Sequence, residues 1–232
     1  MDDFRRLGIS KMKKKTLLSW STGKDSAWTL YKLREDPEIE LVGLFTTINE
    51  KYNRVNMHGT PVELLRKQAG SADLQLHEIS LPDPCTNEIY NATMQSFIDK
   101  CKRDNIEYMA FGDIFLPDVR EYREKQLKGT GIKPIFPLWG TPTCTLTEEM
   151  LSAGLLAYIS CIDMAKIPIS FVGKQWTYDL LAEYPDDCDP CGENGEIHTV
   201  AVDGPMFYYP IPVRVGEIVK RDGFAYADIV SI

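Results

Sequence analysis

The first 140 residues alternate between two patterns of apolar and polar positions. Four short runs rich in apolar residues predict strands, and the second of them leaves no polar face, which is typical of a strand covered on both sides of a sheet. They occupy residues 16–20, 39–48, 74–79 and 108–111. Four further segments predict helices, namely residues 27–33, 60–65, 86–103 and 119–127. In 27–33 and 86–103, apolar residues recur every three or four positions.

This alternation of strand and helix predicts an α/β fold with a doubly wound, mostly parallel sheet. Ligands bind such sheets beyond the carboxyl ends of the strands. Three segments are expected at that edge, namely residues 20–26, 46–58 and 112–123. Functional residues are therefore sought there first.

The pattern changes after residue 140 and predicts a second, smaller α+β unit. Helices are predicted over residues 146–158 and 176–183. Strands are predicted over residues 159–164, 199–202, 213–219 and 224–230. We therefore expect an N-terminal tail (1–14), a larger domain (15–140) and a smaller domain (141–232).

Composition narrows the class of protein. Hydrophobic residues make up 44% and charged residues 26% of the 232 residues, which excludes a disordered or fibrous chain. The net charge of −8 weighs against nucleic-acid binding. No apolar run approaches the roughly 20 residues of a membrane span, and no secretory segment is seen. The six cysteines are widely spaced, unlike a disulfide scaffold. We expect a cytoplasmic protein that binds no membrane.

The most informative segment is the loop at residues 21–26, Ser-Thr-Gly-Lys-Asp-Ser, between a buried strand and an amphipathic helix. Backbone N–H groups at a helix start, together with the helix dipole, form an anion site. Gly23 permits a tight turn and close approach of a ligand to the backbone. Ser21 and Ser26 can add hydroxyl donors, and Lys24 a mobile positive charge. The loop therefore predicts a phosphate site, the simpler alternative being a Ser/Gly turn that caps a helix.

Asp25 changes this interpretation, because a carboxylate beside a phosphate is repulsive unless a cation lies between them. It therefore implies Mg²⁺, held largely through water and phosphate oxygens. The segment is not a Walker loop, since Leu18 stands where that motif has its first glycine and Asp25 follows the lysine. Thr22 is β-branched, so a negative φ is expected there.

The loop resembles SGGKDS, the pyrophosphate loop of the N-type ATP pyrophosphatases, with Thr22 in place of a glycine. Four further runs follow in order along the chain. They are Phe-Gly-Asp-Ile at 111–114, Pro-Leu-Trp-Gly at 137–140, Cys-Gly-Glu-Asn-Gly-Glu-Ile-His-Thr at 191–199 and Asp-Gly-Pro-Met-Phe at 203–207. Together with the loop they resemble the diphthine–ammonia ligase family over about residues 15 to 210. His198 is a departure, because archaeal relatives have an acidic residue before the threonine.

The resemblance implies a two-domain enzyme whose amino-terminal domain binds ATP. Such an enzyme cleaves ATP to AMP and pyrophosphate, adenylates a carboxylate and lets ammonia displace AMP to form an amide. In eukaryotes and archaea that carboxylate belongs to diphthine, a modified histidine of a translation elongation factor. No convincing Cys–His arrangement for a built-in glutaminase is present, so free ammonia is expected as the nitrogen donor.

Site residues are assigned on this basis. The residues expected to bind ATP are Ser19, Ser21, Thr22, Gly23, Lys24, Asp25, Ser26, Thr46, Gly112 and Asp113. The expected catalytic residues are Lys24, Asp25, Asp113, Glu193 and Glu196, with Asp25 as the Mg²⁺ ligand. The expected acceptor-binding residues are Arg120, Arg123, Trp139, Glu193, Asn194 and Glu196.

Two of these assignments have plainer alternatives. Arg120 and Arg123 share a helix face and could grip phosphate or carboxylate, or they could belong to a solvated helix with neighbouring glutamates. The acidic run at 186–196 could attract ammonium and take up its proton. Alternatively, with Trp139 or Tyr178, it could bind the trimethylammonium group of diphthine, or it is a solvated loop.

Other signals carry less weight. Cys188 and Cys191 form a CxxC pair, but no second pair completes a zinc site. His58 and His77 are expected to be structural.

Two rival functions remain open. One is the same ATP chemistry directed at another acceptor, such as a tRNA base, and the other is a sensor that binds ATP or AMP without chemistry. An exposed edge in the second unit could support a homodimer.

Overall fold

The computed structural model describes residues 12–56 and 59–232. Most of the expected N-terminal tail and His58 lie outside the described residues. The larger sheet, which we call sheet A, and its helices occupy the first part of the chain. In order they are β1 (Lys14–Ser19), α1 (Lys24–Glu35), β2 (Ile39–Asn49), β3 (Arg54–Val55), α2 (Val62–Ser71), β4 (Leu76–Leu81), α3 (Asn87–Arg103), β5 (Tyr108–Ala110), α4 (Pro117–Leu127) and β6 (Lys133–Ile135).

Sheet A has the strand order β3-β2-β1-β5-β6, and β4 pairs with β2 as well. All of its pairings are parallel except that of β2 with the two-residue β3. The mixed α/β fold with a mostly parallel sheet is thus confirmed. Leu17 and Leu18 of the central strand β1 are almost fully buried. Covering a strand on both faces requires an apolar run of this kind.

A second sheet, sheet B, follows in the chain and is antiparallel, in the order β8-β7-β10-β9. Its elements are α5 (Thr143–Ser152), β7 (Leu156–Asp163), a 3₁₀ helix (Ile169–Phe171), α6 (Tyr178–Leu181), β8 (Ile197–Asp203), β9 (Val213–Arg221) and β10 (Phe224–Ser231). The smaller α+β unit is therefore present.

The helix expected over residues 146–158 is wrong in its second half. α5 ends at Ser152, and β7 begins at Leu156. The cause is Gly154, whose φ of 82° is a left-handed conformation that ends helices and suits glycine. The helix expected over residues 176–183 is also shorter, since α6 covers a single turn.

The two sheets share one hydrophobic core. Leu18 and Trp20 of the β1 region belong to the same buried cluster as Ala157 of β7 and Trp176. Packing α1 and the end of β1 against sheet B brings the loop at 21–26 beside residues from the far end of the chain. Within residues 12–56 and 59–232, no helix has the length and apolar character needed to cross a membrane.

Candidate active site

The loop at residues 21–26 lies at the carboxyl end of β1, in the middle of sheet A. The strand register places Ser19 beside Phe45 of β2 and Leu18 beside Ala110 of β5. Thr46 and Gly112, which follow those strand residues, therefore lie at the same edge. Glycine suits position 112, because an added Cβ would lie only 3.0 Å from the Thr29 hydroxyl oxygen and 3.2 Å from the Asp25 carbonyl.

A cavity of about 620 Å³ opens at this edge, between the loop, the end of β5 and residues 191–199. We call it the polar cleft. It brings together residues far apart in sequence, and its polar and charged lining comes from both halves of the chain. Those residues are Ser19, Ser21, Lys24, Asp25, Ser26, Asp113, Arg123, Glu193, Asn194, His198 and Thr199.

Lys24 is the most buried charged residue of the polar cleft, with 1% of its surface exposed. Its Nζ donates to both carboxylate oxygens of Asp25, at 2.9 Å, and to the carbonyl of Cys191. Burial has the largest single effect and would lower the pKa of Lys24, but the nearby acidic groups, Asp25 first among them, together outweigh it and the pKa is raised. The expectation of a mobile positive charge is wrong, because the Lys24 ammonium is held by the adjacent Asp25 and by Cys191 from the second half of the chain.

Hydroxyl groups complete the loop. Ser21 donates to Ser26 Oγ at 3.2 Å, and Ser26 donates to the Gly23 carbonyl at 2.9 Å. Gly23 is the N-cap of α1 and supplies no side-chain cap. The Lys24 amide instead donates to Thr199 Oγ1 at 3.1 Å. The start of α1 is thus held by a residue of β8.

Thr22 departs from the expected backbone conformation, since its φ is 75°. A left-handed conformation at a β-branched residue costs on the order of 1–3 kcal/mol. Three contacts impose it. The Thr22 carbonyl accepts from Gln68 Nε2 and from the Ala201 amide, each at 2.9 Å, and the Thr22 hydroxyl bonds with that of Thr60 at 2.7 Å. Tertiary contacts therefore override the local preference of threonine.

Three carboxylates meet in the polar cleft: Asp25, Asp113 and Glu193. Burial, followed by the nearby Asp25 carboxylate, raises the pKa of Glu193 to about 8. Burial also raises the pKa of Asp113, although Arg123 opposes the shift. The Asp113 Oδ2 atom is buried without a hydrogen bond, 3.7 Å from Arg123 Nε. A carboxyl group with a pKa near 8 can hold or release a proton at neutral pH.

Glu196, by contrast, does not line the polar cleft. It is 2% exposed and accepts hydrogen bonds from the Asp189 amide and from both the amide and the side chain of Asn194. Gly192 tightens the same turn, because its φ is 75° and an added Cβ would lie 2.4 Å from a side-chain carbon of Ile197. Through these hydrogen bonds, Glu196 stabilises the turn that contains Glu193.

The two arginines of α4 separate. Arg123 lines the polar cleft, with its guanidinium 5.0 Å from the Phe111 ring centre. Arg120 pairs with Glu124 at 2.8 Å and lies over Trp139, 4.7 Å from the ring centre. Neither Arg120 nor Trp139 lines the polar cleft.

Tyr178 is likewise separate from the polar cleft. Its side chain is exposed, and its hydroxyl donates to the Glu148 carbonyl. The structure therefore does not combine the expected aromatic residues with Glu193.

A second cavity, of about 520 Å³, lies next to the first, and we call it the aromatic cavity. Thr46 lines it, together with aromatic and apolar side chains of sheet A, α3 and α4. These include Phe45, Tyr90, Met94, Phe111 and Tyr122. Ser19, Ser21, Phe111 and Arg123 line both cavities. The two spaces are therefore contiguous at the end of β1.

Sequence reasoning missed Gln68. It is fully buried, accepts from Trp20 Nε1 at 2.8 Å and donates to the carbonyls of Thr22 and Ala201. One signal could have found it, because Gln68 occupies the apolar face of α2 four residues after Leu64. A polar residue on a buried helix face needs hydrogen-bond partners.

The CxxC pair and His77 also lie among the described residues. Cys188 and Cys191 are free thiols, and Cys191 is buried against Thr147. His77 lies in β4 with its ring centre 5.8 Å from that of Phe97. Among the residues that the structure describes, no cluster of three or more His, Cys, Asp or Glu side chains could hold a metal ion by itself.

Two comparisons place the chain among known proteins. Residues 13–134, more than half of the chain, match the family described as the diphthamide synthase N-terminal domain. Diphthine–ammonia ligase from Bos taurus is 25% identical over 138 residues, and that from Homo sapiens is 27% identical over 139 residues. Each alignment covers 56% of this chain and 51% of the relative, so the match spans about half the length of those proteins. The chain belongs to the diphthamide synthase N-terminal domain family.

Proposed function

We propose that this protein is an ATP-dependent ligase of the diphthine–ammonia ligase type, which adenylates a carboxylate and converts it to an amide with ammonia. The observation that carries the proposal is the polar cleft. It combines a helix-start loop bearing Lys24 with a titratable carboxyl, Glu193, from the other half of the chain. The names of the two relatives support the same activity.

The two contiguous cavities suit the two ends of ATP. We propose that residues 15–140 form the ATP-binding domain and residues 141–232 the acceptor domain. The phosphates would lie at the loop, near Lys24, Ser21, Gly23 and Ser26, where a helix start favours anions. The adenosine would occupy the aromatic cavity beside Thr46. The shared residues Ser19, Ser21 and Arg123 would then lie near the innermost phosphate.

The chemistry has two balanced steps. A carboxylate oxygen attacks the α-phosphorus, the bond from that phosphorus to the bridging oxygen breaks, and pyrophosphate leaves with the bonding electrons. Ammonia then attacks the acyl carbon, the carbon–oxygen bond to AMP breaks, and the nitrogen loses a proton. Each leaving group carries negative charge, so positive groups fixed in advance contribute most. Lys24, held in place before substrate arrives, fits that requirement.

Glu193 is suited to take the proton from the attacking nitrogen. Its pKa of about 8 lies close to the operating pH, which favours proton transfer in either direction. Asp113 and Asp25 lie in the same cleft, and their charge makes the cleft attractive to ammonium. We propose no catalytic step for Glu196.

Mg²⁺ would fit the donor set only together with phosphate oxygens. Asp113 offers a buried carboxylate oxygen without a hydrogen bond, whereas both carboxylate oxygens of Asp25, in the same cleft, accept from Lys24. Mg²⁺ prefers oxygen ligands and usually takes one or two carboxylates plus substrate phosphates. When bound, it would neutralise charge on the pyrophosphate.

We propose that the acceptor carboxylate belongs to diphthine on a translation elongation factor, and that the protein works in the cytoplasm. His198 lines the polar cleft where a carboxylate was expected. Burial, followed by the nearby Lys24, lowers the pKa of His198, which favours the neutral imidazole. This neutral residue leaves Asp25 as the carboxylate that is bonded to Lys24.

The test uses ATP labelled at the α-phosphate and an acceptor whose carboxylate carries ¹⁸O. With Mg²⁺ and ammonium, we expect labelled AMP containing one acceptor oxygen, together with amidated acceptor. Formation of ADP would refute the cleavage site. ATP binding without pyrophosphate release, whatever the acceptor, would favour a sensor. Pyrophosphate release that requires tRNA would favour a nucleic-acid acceptor.

A further inference from the structure

The loop that carries Lys24 has a backbone conformation that its own sequence disfavours. Thr22 is fully buried, β-branched and left-handed, with φ 75°. Such a residue keeps this conformation only when its surroundings fix it. Among the described contacts, the two on the Thr22 carbonyl fix the orientation of the peptide between Thr22 and Gly23. They come from Gln68 and Ala201.

Gln68 is itself held in a single orientation. The indole Nε1 of Trp20 is only a donor, so it requires the Gln68 oxygen on its side, at 2.8 Å. The amide nitrogen must then face the carbonyls of Thr22 and Ala201, at 2.9 and 2.7 Å. One side-chain amide therefore ties together the end of β1, the loop and β8, with its two N–H groups and its oxygen all used.

We infer that Gln68 is a positioning residue, which holds Thr22 in the left-handed conformation and thereby sets the loop that would bind phosphate. It lines neither cavity, so it acts through the residues that it contacts. Thr22 is the contact that leads to the loop, whereas Trp20 lines the aromatic cavity. The activity readout rests on the proposed function, whereas the geometric inference does not.

A double-mutant cycle distinguishes this positioning role of Gln68 from a general packing role. Thr22→Gly removes the need for restraint, because glycine adopts positive φ without steric cost. Gln68→Met keeps a similar shape but donates no hydrogen bond. It removes the hydrogen bonds from Gln68 to Trp20, to Ala201 and to the carbonyl of residue 22 in either background, so only the conformational cost at residue 22 differs between the backgrounds. Four proteins are compared: the parent chain, each single variant and the double variant.

We expect Gln68→Met to weaken ATP binding by about tenfold when residue 22 is threonine, and by less than about threefold when it is glycine. The Michaelis constant for ATP should follow binding, with a smaller change in kcat. Gln68→Glu keeps the acceptor for Trp20 and loses both donors, so it should show the same dependence on residue 22. Equal losses in the two backgrounds would overturn the inference.

Folding outcomes also decide. If Gln68→Met folds only in combination with Thr22→Gly, the inference is supported, and if it folds in neither background, the amide has a general structural role and the inference fails. Should the parent chain not bind ATP, the proposed function fails on its own. The unfolding free energies of the four proteins then decide, because coupling between residues 22 and 68 is still measurable by denaturant titration. Ile229→Val in the sheet B core is the matched control and should be additive with Thr22→Gly.

Discussion

The polar cleft and the aromatic cavity are neighbours of similar volume, yet they are built differently. The aromatic cavity is lined entirely by residues 19–127, and its described lining includes no carboxylate. The polar cleft needs residues 191–199 as well, and its lining includes three acidic residues and one buried lysine. The aromatic cavity requires only that sheet A and its helices fold, whereas the polar cleft also requires sheet B to pack against them.

The difference extends to charge. In the polar cleft, burial moves the pKa values of Asp113 and Glu193 upward, and the Asp25 carboxylate raises that of Lys24 against the effect of burial. Groups of this kind cluster at functional sites because proton transfer and charge stabilisation require them. We therefore propose that the aromatic cavity holds a ligand and that the polar cleft acts on it. Four predictions challenge that division, from the largest effect to the smallest.

Removing the lysine should have the largest effect. Lys24→Met deletes the positive charge beside Asp25 and should lower the rate of pyrophosphate release at least about 10³-fold. ATP binding should weaken less, because the adenosine end would still be held in the aromatic cavity. Release of labelled pyrophosphate and equilibrium dialysis with ATP measure the two effects.

The matched control is Lys32→Met on the outer part of α1, where Lys32 pairs with Glu149 at 2.7 Å. Its rate should stay within about twofold of the parent, as expected for a surface ion pair. A Lys24→Met protein that turns over at the parental rate would remove this residue from the chemistry.

Glu193→Gln should lower amide formation about 10²-fold, because it removes the proton acceptor. It should also change the pH dependence of stability. A pKa of about 8 in the folded state, above the ordinary 4.5, means that the folded chain binds the proton more tightly. The stability from that proton is complete below about pH 4.5 and is lost as the pH rises to 8.

Between pH 5 and pH 8, the unfolding free energy of Glu193→Gln should therefore rise relative to that of the parent by at least about 2 kcal/mol. Urea titrations at several pH values measure this. Glu124→Gln, an exposed carboxylate on α4, should show no such trend. If the unfolding free energies of Glu193→Gln and the parent changed with pH in the same way, the pKa of Glu193 would not be raised in the folded state.

Narrowing the aromatic cavity should affect binding more than chemistry. Thr46→Phe places a larger side chain on the cavity wall and should raise the Michaelis constant for ATP about tenfold, while kcat changes little. Steady-state kinetics at varied ATP check the split.

Thr145→Phe on the exposed face of α5 is the control for adding a ring. A fall in kcat with an unchanged Michaelis constant in Thr46→Phe would place the adenosine elsewhere.

The two arginines of α4 should differ, with Arg120 giving the smallest effect. Arg120→Ala removes a surface pair with Glu124 and stacking on Trp139, so it should cost stability on the order of 1 kcal/mol and change activity less than about twofold. Arg123→Ala should reduce activity more, because Arg123 lines both cavities. Urea titration and pyrophosphate release compare the two proteins, and a larger loss in Arg120→Ala would reverse our assignment.

Much of this architecture was predictable from sequence, because the signals are local. The apolar run around Leu18 and the loop at 21–26 placed β1, the connecting loop and α1 in order along the chain. The boundary near Gly154 was missed because apolar residues on both sides of the glycine fit a helix as well as a strand. The different surroundings of Arg120 and Arg123 were missed because two residues on one helix face need not contact the same neighbours.

The sequence by itself thus determined the order of strands and helices, the nature of the loop and the acidic turn that carries Glu193. Only the tertiary structure decided that Lys24 is fixed by the carbonyl of Cys191 and that Thr22 is left-handed. The reason is physical: periodicity and turn chemistry act over a few residues, whereas these contacts join groups that the chain brings together only when sheet B packs on the end of β1.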